Sequence, residues 1–135
     1  MNGNVELWMI HASLMSLGFF LVIVNLSNVV FKIPVKGWFR IHKIAGILSV
    51  MFLVLGISVA IFMVSQFGGS HFRVYHAYFG LSTLILLVLT PVIGYLSSNL
   101  KQKRYMRSIH IWIGRIDLLM IMITLISGLM QVGII

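Results

Sequence analysis

The sequence predicts an all-α fold, a single domain over 1–135 in which four transmembrane helices form an antiparallel, up-down bundle. Three observations predict it. Hydrophobic residues make up 60% of the chain and charged residues 9%, whereas a soluble domain carries about 25% charged residues. Four apolar stretches, at about 8–31, 41–67, 74–96 and 109–135, each exceed the roughly 20 residues that cross a hydrocarbon core. Short connections rich in helix breakers separate them. Lipid offers no partner to an unpaired backbone group, so a spanning segment is a helix or part of a closed barrel. The alternating pattern of barrel strands is missing from these runs.

The first stretch has no basic region before it and is long enough to span, so it is expected to remain as a helix and not to be cleaved as a leader. The second follows KIPVKG and the third follows QFGGSHF. Pro91 lies inside the third, where it removes one backbone hydrogen bond and is expected to kink the helix. The fourth follows SSNLKQKRYMR. Lys32, Lys36, Arg40 and Lys43 flank the first connection, Lys101, Lys103, Arg104, Arg107 and Arg115 flank the third, and Arg73 stands alone at the second. Basic residues collect on the cytoplasmic side. Loops 32–43 and 97–107 are therefore expected in the cytoplasm, with both termini and the second loop outside. The net charge of +8 reads as topology, with attraction to anionic lipid as a second use, and no nucleic acid is expected as a partner. The absence of cysteine excludes disulfides, thiolate metal sites and covalent haem attachment.

Four of the five histidines, His11, His42, His76 and His110, recur at intervals of 31, 34 and 34 residues, each near the start of a different apolar stretch. Successive helices reverse direction, so His11 and His76 fall near one membrane face and His42 and His110 near the other. In HKIAG, HAYFG and HIWIG a glycine, Gly46, Gly80 or Gly114, follows the histidine by four residues on the same helix face. Glycine there leaves room for a flat, bulky ligand to approach the backbone. Steps of seven extend the stripe through Gly18 and Asn25, Ser49 and Gly56, Thr83 and Thr90, and Asp117 and Thr124. Such a small and polar stripe faces a protein interior and not lipid. Close helix packing with hydrogen-bonded histidines is the plainer alternative.

Zinc calls for three or four ligands close together, and the arrangement offers two per face. Haem takes two axial nitrogens from opposite sides of a plane, within apolar walls. Two non-covalent b-type haems, with iron held by His11, His42, His76 and His110, fit this pattern best. Two histidines on each iron leave no position for oxygen or substrate, so the expected role is electron transfer.

HASLM, WFRIH, HAYFG and RSIHIWIGR resemble, in order and spacing, the haem-binding core of the cytochrome b561 family, particularly its DOMON-associated and ferric-reductase-like forms. The resemblance covers about residues 8–132. It implies a transmembrane oxidoreductase with His11 paired to His76 and His42 to His110. Ascorbate, quinol or ferric chelates are the partner types it suggests, and the donor and acceptor could equally be proteins. The family pattern adds two flanking helices and often a further redox domain, so a homodimer or a separate redox partner is expected to cover the corresponding surfaces, with lipid around the rest. A membrane-anchor cytochrome subunit of a larger complex and a haem-free structural or transport bundle remain alternatives.

Among the other residues, Arg40, Lys43 and Arg115, with Lys36 and Arg107, are candidates to hold the propionates of the cytoplasmic haem, and Arg73 those of the outer one. Asp117 is expected to pair with Arg115 or Lys43, with a proton relay or a hydrogen bond near a haem as the alternatives. His71 reads as a surface histidine, with a substrate-side role as the alternative.

Overall fold

Twenty or more apolar residues in sequence leave a backbone in lipid only its own groups to bond, and the helix is the local solution. The computed structural model describes residues 2–30, 35–99 and 103–133 and gives four helices: α1 (Asn2–Val30), α2 (Trp38–Gln66), α3 (Tyr75–Asn99) and α4 (Lys103–Gln131). No strand occurs among the described residues. All four are long and apolar enough to cross a membrane.

The helices outrun the apolar stretches that predict them. α1 begins six residues before the expected start, and α4 begins at Lys103 where 109 was expected. Hydropathy sees only the hydrocarbon, whereas 29 residues at 1.5 Å each extend about 44 Å, the thickness of a bilayer with its headgroups. The third connection, expected at 97–107, is correspondingly shorter. α4 stops at Gln131, four residues before its expected end, and Gly133 turns the chain with φ 70°. Gly37, with φ 75°, begins α2, a backbone conformation that costs a side-chain-bearing residue. α3 is assigned as continuous helix through Pro91. Lys32 and Lys101 lie outside the described residues, as does the side chain of Lys103.

The chain divides into two helical hairpins, one up to His71 and one from Phe72. In the first, Gly18 of α1 meets Leu53 of α2 and His11 meets Gly56, so the two helices run antiparallel. In the second, Thr83 meets Thr124 and His110 meets Thr90, again antiparallel. The seams combine small and polar residues with a few larger apolar ones: Gly18, Ala45, Ser49, Leu53 and Gly56 are buried in one, and Thr83, Leu87, Asp117, Ile121 and Thr124 in the other. Large apolar side chains such as Phe20, Ile47, Ile85 and Leu119 point outward, the distribution expected where lipid is the solvent and close backbone approach holds helices together. The predicted stripe thus runs along the seam of each hairpin.

The hairpins repeat one another. Adding 65 to α1 carries His11, Gly18 and Asn25 onto His76, Thr83 and Thr90; adding 68 to α2 carries His42, Ser49, Leu53 and Gly56 onto His110, Asp117, Ile121 and Thr124. Seam hydroxyls close on their own helix, as with Ser49 to the Gly46 carbonyl at 2.8 Å and Thr90 to Leu86 at 2.8 Å, so they need no water.

Candidate functional site

Each histidine sits near the start of its helix, half-buried on the seam, where it can reach the main chain of the neighbouring helix. The Nδ1–H of His11 donates to the Gly56 carbonyl at 2.8 Å, that of His76 to Thr124 at 2.9 Å, and that of His110 to Thr90 at 3.0 Å. A carbonyl only accepts, so Nδ1 is protonated in all three rings. Metal-bound histidines are held in this way, with one nitrogen donating to a carbonyl and the other on the metal. His42, at the repeat position of His110, lies four residues before Gly46, and its ring is 6.2 Å from that of Trp38.

The acceptors fix depth. Gly56 lies fourteen residues after His42, Thr90 fourteen after His76, and Thr124 fourteen after His110. In the second hairpin His76 and His110 are therefore held at levels about 21 Å apart along the helices. In the first, the level of His11 lies at the same remove from His42. Each hairpin offers one histidine near each membrane face.

Two glycines that the histidine motifs do not reveal lie against these rings. A Cβ added to Gly94 would come within 2.9 Å of His110 Cε1, and one added to Gly128 within 2.9 Å of His76 Cε1. Both follow an acceptor residue, Thr90 or Thr124, by four positions, a signal legible only once the acceptors are known. The three glycines of the motifs differ from them. A Cβ on Gly46 would meet Asn25 Nδ2 at 3.3 Å, one on Gly80 would meet the Thr124 methyl at 3.8 Å, and one on Gly114 would meet nothing within 4 Å. None of the three lies against a histidine of its own hairpin. We predict that Gly94→Ala and Gly128→Ala displace the imidazoles from their carbonyls and weaken retention of a metal ligand by roughly tenfold or more, the effect of losing an outer hydrogen bond. Haem occupancy of the two purified variants against the wild type checks this.

The basic candidates are exposed. Arg40 and Lys43 lie in the first two turns of α2, with Lys43 Nζ 4.6 Å from the Phe39 ring centroid. Arg73 lies in the turn before α3. Arg115 stacks on Trp112 at 5.1 Å. The ion pair expected between Asp117 and Arg115 is not formed: Asp117 is 4% exposed with Oδ1 unbonded, and Arg115, two positions away, faces outward. Successive residues on a helix cannot share a face, which is why proximity in sequence misleads here. His71 is exposed and bonds Ser65 Oγ at 3.3 Å.

Four membrane-length helices paired as antiparallel hairpins, with a half-buried histidine on each helix, define a helical integral membrane protein. The chain belongs to the cytochrome b561 family: the family model described as eukaryotic cytochrome b561 matches residues 10–134. Membership makes it a haem-linked transmembrane electron-transfer protein, and the haem of the family is of b type. Neither the curated proteins nor the solved structures compared with the chain gave a match.

Proposed function

We propose that the chain carries electrons between the two membrane faces through two b haems, one ligated by His11 and His76 and the other by His42 and His110. The observation that carries this reading is a shared contact: Nδ1–H donates to a carbonyl of the neighbouring helix in His11, His76 and His110, the way metal-bound histidines are commonly oriented. The residues fit the group in a second respect, since Gly94 and Gly128 leave the ring edges uncrowded. A b haem with both axial positions filled supplies one-electron transfer without an open site for oxygen or substrate. The chain's own part is to orient the imidazoles, exclude water and hold two depths apart.

Arg40, Lys43 and Arg115 serve the propionates of the cytoplasmic group and Arg73 those of the outer one, with Gly46, Gly80 and Gly114 giving the macrocycles room. This assignment follows the nine-to-one distribution of basic residues, which orients loops one and three toward the cytoplasm. The donor and acceptor are small molecules or proteins that reach the two faces, and a second copy of the chain or a redox partner covers part of the lipid-facing surface.

Detergent-purified protein, expressed with adequate haem, is expected to show low-spin b-type bands on dithionite reduction and two haems per chain by pyridine haemochrome. A colourless protein would sink the proposal; one haem per chain would leave a single histidine pair in service.

A further inference from the structure

We propose that Asp117 is a proton-uptake site buried in the second hairpin, and that it takes up a proton when the protein takes up an electron. The inference rests on the haem-carrying role proposed above. Asp117 is one of only two acidic residues in the sequence, Glu6 being the other. It lies seven residues from His110 and seven from Thr124, so it stands about 10 Å along α4 from the level of each histidine of its hairpin. A buried carboxylate with no cation beside it is costly, and in membrane proteins such a group marks a functional site or a proton relay.

Its surroundings within the hairpin are apolar where a counter-charge would be needed. On α3 the only titratable groups are Tyr75, His76, Tyr78 and Tyr95, near the two ends, and the buried residue at mid-depth is Leu87. On α4 the nearest are His110 and Arg115, and Arg115 is turned outward onto Trp112. Within the hairpin a proton is therefore the available neutraliser.

A run of hydroxyls starts at the His76 end of the hairpin and stops about 10 Å along α4 short of Asp117. His76 Nδ1 lies 3.4 Å from Ser127 Oγ, Ser127 bonds the Thr124 carbonyl at 2.9 Å, and the hydroxyls of Thr124 and Thr83 are 2.9 Å apart. Thr83 also reaches the Phe79 carbonyl and Thr124 the Met120 carbonyl, both at 2.8 Å. Two hydroxyl protons thus face three acceptors, and the pair has two equivalent arrangements that exchange by rotation alone. The repeat provides an internal comparison. At the matching positions the first hairpin has Val59, Gly56, Gly18 and Ser49, and Ser49 is closed on Gly46. The second hairpin alone carries both the acid and the hydroxyls.

Per turnover, one electron arrives from the one-electron donor and one proton from the aqueous phase forms an O–H bond on the Asp117 carboxylate. When the electron passes to the acceptor, that bond breaks and the proton returns to water. Electron arrival adds negative charge and so favours the protonated acid. The midpoint potential should therefore fall as pH rises, with a limiting slope of about 59 mV per pH unit, one decade of proton activity per electron.

The test is spectroelectrochemical titration of the haem-loaded full chain from acid to alkaline pH, wild type against Asp117→Asn and Asp117→Ser, the latter copying the first hairpin. Propionates titrate too, so the difference between variants decides. Loss of most of the slope with both haems retained supports the site; an unchanged slope, or a pH-independent wild type, overturns it. Should neither variant assemble, Asp117→Glu and the wild type are compared by redox-difference infrared spectroscopy in H2O and D2O. A protonated-carboxyl band that appears on reduction and moves in Asp117→Glu supports the proposal, and no such movement overturns it. A colourless wild type instead fails the haem reading itself.

Discussion

Under the proposed ligation, replacing His76 by alanine is expected to remove one haem from the protein and leave the other. In that ligation the side chain offers Nε2 to its side of the group while its Nδ1–H is held by the Thr124 carbonyl, and alanine offers neither contact. Under the proposed pairing, His11→Ala removes the same haem, and the double substitution removes no more than either alone. His42→Ala and His110→Ala behave the same way for the second haem. Pyridine haemochrome of the four single and two paired variants should thus fall to about half of the wild-type haem in every case, since residues that act as one unit are non-additive. If His11→Ala and His76→Ala instead add, leaving no haem in the double variant, the pairing is wrong and the ligands must be reassigned.

The second large effect is expected at Gly18, where the seam of the first hairpin is tightest. A Cβ there would lie 2.6 Å from Leu53 Cγ, 2.9 Å from its Cδ2 and 3.3 Å from its backbone nitrogen. The first of these is a branch point beside the main chain and not the free end of a flexible side chain, so α1 and α2 must separate. Gly18→Val is expected to destabilise by about 1–3 kcal/mol, the usual cost of overpacking. Leu53→Ala by itself opens a void at a residue 3% exposed, costing about 2–5 kcal/mol. The two together should be less harmful than their sum, because the valine fills the space that the leucine vacates. Thermal denaturation of the purified protein in one detergent, followed by loss of the visible spectrum, measures the cycle. Strict additivity would show that these two positions do not share a seam.

Much of this was legible in the sequence, because a membrane makes simple rules strict. Length and apolarity found all four helices, and a seven-residue step from each histidine found seam positions such as Ser49, Gly56, Thr83, Asp117 and Thr124. The helix ends were missed where Asn2 to Leu7 and Lys103 to Ser108 are helical yet not apolar throughout, since no hydrophobic criterion registers a helix passing through headgroups. The acceptors at Gly56, Thr90 and Thr124 were invisible for another reason: a carbonyl belongs to every residue and leaves no mark on composition. Gly94 and Gly128 were missed with them. The glycines chosen from the histidine motifs, Gly46, Gly80 and Gly114, shared a helix face with their own histidine, but the rings lean onto the neighbouring helix instead. Asp117 was expected to find a cation because Arg115 is close in sequence, although two steps along a helix point to different sides.

The use of main-chain carbonyls to orient the imidazoles has a consequence for how such a protein can change over time. Glycine at one acceptor position and threonine at two others perform the same task, because substitution alters the side chain and leaves the carbonyl in place. Ligand geometry is thereby insulated from most point mutations at these sites. The surrounding side chains are free to drift, and with them the polarity felt by each redox centre, so one scaffold can be retuned to new donors and acceptors without being re-invented.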